Sequence, residues 1–461
     1  MNQITSPLPE DTLVMHVVQQ AQQLPSVSTR ERLAQALLDW FTAGWSGMVM
    51  PLAPLMRDVA LQTWPEREGA PVFGGGRLPA TGAAFCNAAL AHLREIDDAH
   101  RSAMLHPGVV AVSPVLALAG TQVLTQRQVM AGVVAGYEVA LRLGEALGPA
   151  HAGQFHATAT AGAIGAAAAA GVALGLEGPV LHHALGHAAT QAAGLWQLAD
   201  DGAHEAKSLH PGFAVRNGLM AVAAARAGLP AARAFFSGSR ALYPLLGGAG
   251  PMQALTRDLD GQPWLHSATI KAWPSCAMTF TALDALQALV QQHGVQPGDV
   301  ARVDVSIFSH ALRIANVDWP SKAVETPFSL RYLVAALLHH GRLGIDEVEQ
   351  PALQDAVLCD LGARVQVQAS ETFQRVFPQR RPAQVTLHLK NGQTLEAQRD
   401  MRRGDPEDPF DWPQLVARMR AFAPGMDDAH ADALTAWCER LLDPALDDQP
   451  CRPAAALFGA D

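Results

Sequence analysis

The run "AGAIGAAAAAGVALGL", Ala161–Leu176, decides what kind of fold this chain can adopt. It is apolar throughout, yet shorter than the roughly 20 residues a helix needs to cross a bilayer. It is also built from Ala and Gly, whose small side chains let neighbouring helices approach closely. The run therefore predicts a helix packed inside a soluble core. Just before it, "GPAHAGQFHATAT" (Gly148–Thr160) sets His151 and His156 ahead of Thr158 and Thr160 in the helix's first turn. Unpaired backbone N–H groups and hydroxyls at such a turn can hold an anion.

Outward from this helix the pattern stays helical from about residue 28 to 240. "STRERLAQALLDWFTAG" opens on a capping Ser/Thr with an acidic first turn, and "VVAGYEVALRLGEAL" repeats apolar residues at helical spacing. Near residue 270 the texture changes: "VARVDVSIF" (300–308) and "ARVQVQAS" (363–370) alternate in period two, as half-buried strands do. "QVTLHLKNGQTLEAQRD" (384–400) reads as two strands joined by Asn391-Gly392, a pair suited to a tight primed turn. After the Pro- and Asp-rich loop "RRGDPEDPFDWPQ", the segments "LVARMRAF" and "ADALTAWCERLLD" return to amphipathic helix. The expected fold is mainly α with a smaller α+β domain. Residues 1–268 form the first part of a helical domain, 269–405 the α+β domain, and 406–461 the helices that pack back on the first part.

The totals narrow the function. Apolar residues make up 49% of the 461 and charged residues 16%, with a net charge of -10 and no Lys/Arg-dense segment. That argues against nucleic acid or an anionic membrane as partner and for a small substrate. Five scattered cysteines without a CxxC pair fit a reducing cytoplasm and offer no zinc site, and the N-terminus "MNQITSPLPEDTLV" lacks the features of a secretory signal. "GGG" at Gly74–Gly76 opens no phosphate-binding strand-turn-helix unit. His183 and His187 have i, i+4 spacing, but the Glu of a zinc-protease helix is missing. No metal or nucleotide is expected.

Four segments place polar groups against small residues at loop-to-helix junctions. "HLREIDDAHRSAMLHPG" (92–108) gathers Glu95, Asp97, Asp98, His100 and His106. His156 and Thr158 belong to the second. "HEAKSLHPGFAVRNG" (204–218) carries Lys207, His210 and Arg216, and "IKAWPSCAMTFTALDAL" (270–286) carries Lys271 and Cys276. Any one has a plainer explanation, such as a histidine satisfying a Pro-Gly turn or a solvated lysine. Together they are what a small site needs to bind a polycarboxylate and move a proton beside it.

These segments also resemble the MmgE/PrpD family, which includes 2-methylcitrate dehydratase, cis-aconitate decarboxylase and iminodisuccinate epimerase. The resemblance lies in Asn87, Ala91-His92, Glu95-Ile96-Asp97-Asp98-Ala99 and His106-Pro107, in the GYE helix from Gly136 to Gly144, and in Phe155-His156-Ala157-Thr158. It continues through Lys207 to Gly218, Lys271 to Asp284, and Phe328 to Tyr332. It implies a helical domain made from both chain ends, an inserted lid-like α+β domain, an active site at their junction, a homodimer and no cofactor. Known members use an Asp/Thr/His set from the acidic stretch, the histidine before the Ala-rich helix, and the lysine of the third segment. Here the leading Asp is Glu95, the Thr is Ala99, a histidine of the decarboxylase branch is Cys276, and another histidine is Phe280.

The resulting expectation is a cofactor-independent, cytoplasmic lyase acting on a small di- or tricarboxylate, most simply a dehydratase. His106 or His156 serves as base and acid, and Glu95 and Asp98 tune them. Lys207 and Arg216 hold carboxylates, while His100, Thr158, His210, Lys271 and Cys276 line the substrate, and Arg94 and Arg101 solvate their helix. An isomerase or epimerase of a dicarboxylate, a cis-aconitate-type decarboxylase and a non-catalytic carboxylate-binding protein are the alternatives.

Overall fold

The computed structural model describes residues 7–66 and 68–459. The first six residues, part of the N-terminal stretch read above for a secretory signal, lie outside them. The chain divides into two compact units: residues up to Ala268 together with those from Trp412 onward, and Thr269–Asp411.

The first unit is helical. It comprises α1 (Pro9–Gln22), α2 (Val27–Met48), α3 (Ala53–Thr63), α4 (Ala80–His92), α5 (Pro107–Thr121), α6 (Gln126–Ala152), α7 (Ala157–Ala173), α8 (Gly178–Ala189), the short α9 (Gln197–Asp200) and α10 (Leu209–Arg226). Helix α2 starts a little earlier than its sequence suggested. Ser26 is the cap, its hydroxyl accepting from Thr29 N at 3.2 Å, and no acidic residue lies in the first turn. Two very short strands not foreseen in this region, β1 (Ala70–Pro71) and β2 (Arg77–Leu78), pair across the Gly74–Gly76 turn, whose three φ angles are all positive.

Helix α7 is buried along its whole length. It can be, because its partners come unusually near: a Cβ added to Gly165 would lie 2.6 Å from the Ala140 Cβ and 3.0 Å from the Gly136 carbonyl of α6. A Cβ on Gly218 of α10 would lie 2.8 Å from Ala166 of α7. Among the described residues no helix is long and apolar enough to cross a membrane.

The last part of the chain packs into this same unit. Helices Trp412–Phe422 and Asp428–Glu439 lie against α2, and Asp447 forms a bidentate buried pair with Arg30 at 2.6 and 2.8 Å. Trp40, Phe41, Phe73, Trp437 and Phe458 make a nest of tilted and edge-on rings with centroids 4.9–6.2 Å apart.

The second unit holds a mixed sheet of order β4-β3-β5-β6, with β3 (Val300–Ile307), β4 (Val365–Ala369), β5 (Ala383–Leu389) and β6 (Thr394–Arg399). β3 runs parallel to β4 and antiparallel to β5. β5 and β6 form the hairpin expected at Asn391-Gly392, where Gly392 has φ 88° and the Asn391 side chain accepts from Gln393 N at 2.9 Å. Val303, Val305, Val385 and Leu387 point into a core shared with Leu283, Leu286, Leu333 and Leu337 of helices Phe280–His293 and Leu330–His340.

If close helix approach sustains the first unit, Gly165→Ala should destabilise by about 1–3 kcal/mol, the usual cost of overpacking. Gly298→Ala, where an added Cβ meets nothing within 4 Å, should leave the melting temperature nearly unchanged. Equal melting temperatures for the two variants would contradict this account.

Candidate active site

Four helix ends meet in the first unit. His92 is the last residue of α4, His106 caps the N-terminus of α5, His156 caps α7, and Lys207 sits in the 3-10 turn His204–Ser208 that leads into α10, with His210 in its first turn. The ring centroids of His92 and His106 are 4.6 Å apart, those of His92 and His156 5.5 Å, and those of His156 and His210 5.3 Å. The N-termini of α5, α7 and α10 thus adjoin one another, and their aligned peptide dipoles favour negative charge there.

Asp97 joins two of the rings. Its Oδ2 lies 2.8 Å from His92 Nδ1 and 3.2 Å from His106 Nδ1. Burial alone raises a carboxyl's pKa, but the two imidazoles outweigh it and hold Asp97 well below the usual carboxylate range. Lys207 Nζ approaches His92 Nε2 at 2.9 Å and forms an ion pair with Glu95. His156 Nδ1 faces His210 Nδ1 at 3.1 Å, so one ring donates and the other accepts. Burial, reinforced by the Lys207 charge, pushes His156 well below its ordinary value and His210 down to about 4. Both are neutral near pH 7.

Asp98 does different work from its neighbour. Its Oδ1 accepts from Gly108 N at 2.8 Å and its Oδ2 from the Tyr137 hydroxyl at 2.6 Å. Burial and the nearby Asp39 push it up to about 7. Asp39 accepts from Asp98 N at 3.0 Å and pairs with Arg418 at 2.8 Å, while Arg418 also donates to the Ile96 carbonyl at 2.8 Å. The loop between α4 and α5 is therefore tied down from α2, α6 and helix Trp412–Phe422. Gly108 is required because a Cβ there would lie 2.8 Å from Asp98 Oδ1. Gly194, at φ 127°, lets its carbonyl accept from His156 N at 2.8 Å, and a Cβ would collide with Ala159.

The sequence-derived set is partly brought together. Glu95, His106, His156, Lys207 and His210 converge, and the Thr158 hydroxyl accepts from His106 N at 3.1 Å, orienting the loop. Asp97, not Asp98, touches the histidines; Asp98 is spent on the loop. His100 is turned away: its Nε2 lies 3.0 Å from the Ser267 hydroxyl and its Nδ1 accepts from Ala103 N at 3.0 Å. The Arg216 guanidinium stacks 4.9 Å over the Phe213 ring and donates to Asn217 Oδ1, so it holds its own helix's surface. Arg94, expected in solvent, is buried at 5% exposure. Lys271 and Cys276 are buried in the second unit, just ahead of helix Phe280–His293.

His92, Asp97 and Trp196 carry no role in the sequence reading. The spacing His92, Glu95, Asp97 was the available signal for the first two. Trp196, 4.9 Å from the His156 ring and donating to the Ala152 carbonyl at 2.8 Å, had none. His183 and His187 engage the Leu229–Ala231 backbone. One nitrogen from each of His92, His106 and His156 lies within 4.8 Å of the others, a spacing that could hold a metal ion. The Lys207 ammonium beside His92 Nε2 opposes a second cation there.

The MmgE/PrpD N-terminal domain matches residues 13–254 and the MmgE/PrpD C-terminal domain residues 273–442. The chain is 24% identical over 426 residues to a cis-aconitate decarboxylase of Aspergillus terreus, covering 86% of each protein. It is 26% identical over 374 residues to the Homo sapiens cis-aconitate decarboxylase, covering 76% of this chain and 74% of that one, and 28% identical to the Mus musculus enzyme over 375 residues, covering 76% and 73%. The chain belongs to the MmgE/PrpD family.

Proposed function

We propose that this protein is a lyase that acts on a small polycarboxylic acid through proton transfer at a carbon beside a carboxylate, with loss of CO2 as the bond-breaking step. The observation that carries this reading is the convergence of the Lys207 ammonium, the Asp97-backed His106 and the neutral His156 at three helix N-termini. The names of the relatives, cis-aconitate decarboxylases, support the same chemistry.

In this reading Lys207 and the helix ends hold carboxylates. The carbon–carboxylate bond breaks, CO2 leaves, and its electron pair stays on carbon, delocalised toward a second acid group that the site stabilises. Protonated His106, its charge steadied by Asp97, gives its proton to that carbon and is recharged from solvent. His156, neutral and sharing a proton with His210, is the acceptor in the reverse sense. A second reading, dehydration, is favoured by Cys276 standing where the resemblance places a histidine of the decarboxylase branch. There His156 removes the C–H proton and His106 protonates the departing hydroxide.

Proton NMR of the purified protein in deuterated water with cis-aconitate, 2-methylcitrate, citrate, iminodisuccinate and citramalate separates these. CO2 release with one deuteron at the product carbon supports the first reading, water loss the second, and binding without turnover overturns both. Turnover should persist after exhaustive EDTA treatment, and its loss with recovery on adding a divalent ion would assign the three-histidine cluster to a metal.

Lys207→Ala should lower kcat by about 10²-fold or more and raise KM, the scale expected for a preorganised electrostatic group. Near-wild-type kcat in the folded variant would remove Lys207 from the site. The depressed histidines also set a pH dependence. The unfolded chain takes up protons near 6.5, whereas folded His210 resists them down to about 4. Stability is therefore lost as pH falls through that window. Thermal melts of His210→Gln and wild type from pH 7 to 4 should show the smaller acid-side loss in the variant; parallel curves would refute the assignment.

A further inference from the structure

Glu95 is held in place by more than its ion pair. Its φ of 62° lies in the left-handed region, where Asp and Asn are enriched and a longer side chain is uncommon. The loop that imposes this conformation is fastened a few residues on through Asp98, Tyr137, Asp39 and Arg418. Glu95 thus presents its carboxylate to Lys207 from a fixed backbone, with the two side chains only 17% and 12% exposed. It also lies 3.9 Å from His92 Nε2.

The ammonium of Lys207 has three donors. One is directed to His92 and one to Glu95. A substrate carboxylate arriving at Lys207 therefore meets a carboxylate already seated there. Asp97 adds a second negative charge beside His92 and His106. The Asp97 charge is answered by the protonated His106 of the reading above, which leaves Glu95 and Lys207 to answer each other, with His156 and His210 neutral. A further substrate carboxylate brought to Lys207 is then repelled at short range by Glu95 in a poorly solvated place.

We infer that Glu95 is a specificity-determining residue that occupies one carboxylate position of the site, so that the substrate carries two carboxylates rather than three. The inference rests on the reading above in which Lys207 receives a substrate carboxylate. On it, a tricarboxylate binds only by displacing Glu95 from Lys207, whereas a dicarboxylate uses the remaining donor and the helix ends.

Titration calorimetry on the full chain with maleate and cis-aconitate, which share a cis-alkene and differ by one carboxymethyl group, tests this. Wild type should bind maleate more tightly than cis-aconitate. Glu95→Gln keeps the length of the side chain and removes its charge; it should shift the ratio of the two dissociation constants toward cis-aconitate by about tenfold, the scale of one close like-charge contact removed in a partly solvated site. Should that variant fail to fold by circular dichroism, Glu95→Asp replaces it. Asp suits the positive φ and withdraws the carboxylate by one methylene, so the same shift is expected with smaller size. An unmoved ratio in the folded variant, with Lys207→Ala still weakening maleate, overturns the inference alone. A folded Lys207→Ala that binds both ligands as wild type does, or a wild type that binds neither, overturns the underlying reading and this inference with it.

Discussion

The closeness of α6, α7 and α10 is the constraint on which the rest depends. A helix buried on every side can have only small residues where it meets its neighbours, and α7 meets α6 through Gly165 and Gly136 and meets α10 through Gly218. Helices this near leave no space between them for a hydrated polar group, and an unpaired one would cost several kcal/mol in so dry an interior. Polar chemistry is displaced to the helix ends. There the backbone leaves groups without intrahelical partners, donors at the N-termini where His106, His156 and Lys207 stand and acceptors at the C-terminus that ends in His92.

A loop crossing such ends would be loose if only its own turns held it. This one is held by buried carboxylates that accept from surrounding groups. Asp98 ties Gly108 and Tyr137, Asp39 ties Asp98 N, and Arg418 ties Asp39 and Ile96. Removing one member of such a network leaves a buried charge unanswered, so the network fixes one conformation even where its net contribution to stability is small. Arg418 comes from a helix that follows the whole second unit in sequence. The return of the chain end to the helical unit is therefore part of how the site is shaped.

Two adjacent residues show how environment assigns roles. Asp97 sits among imidazoles and stays ionised; Asp98, buried beside the Asp39 carboxylate, is pushed toward neutrality against the opposing hydrogen bond from Tyr137. Carboxyl groups one residue apart are thereby driven in opposite directions, which is how one stretch of chain can both pair with two histidines and brace the backbone.

Much of this was legible without coordinates. Ala161–Leu176 had to be a packed helix because its residues are too small and too few for a membrane, and Asn391-Gly392 had to be a hairpin turn because alternation runs through both flanks. The clustering of acids and histidines between 92 and 108 marked the candidate site, since a charge-poor chain that gathers such groups in one stretch singles that stretch out. What the sequence could not decide was direction. Asp97 and Asp98 are indistinguishable as letters, and only the structure sets the first beside His92 and His106 and the second on Gly108 and Tyr137. Arg216 read as a carboxylate holder because its neighbours in sequence are site residues, yet its place on α10 pairs it with Phe213 and Asn217. Trp196 and Arg418 had no local signal at all. Periodicity and composition act between near neighbours along the chain and so determine the helices and strands, whereas the candidate site also joins segments as far apart as His92 and Lys207, whose meeting is settled by how closely those helices pack.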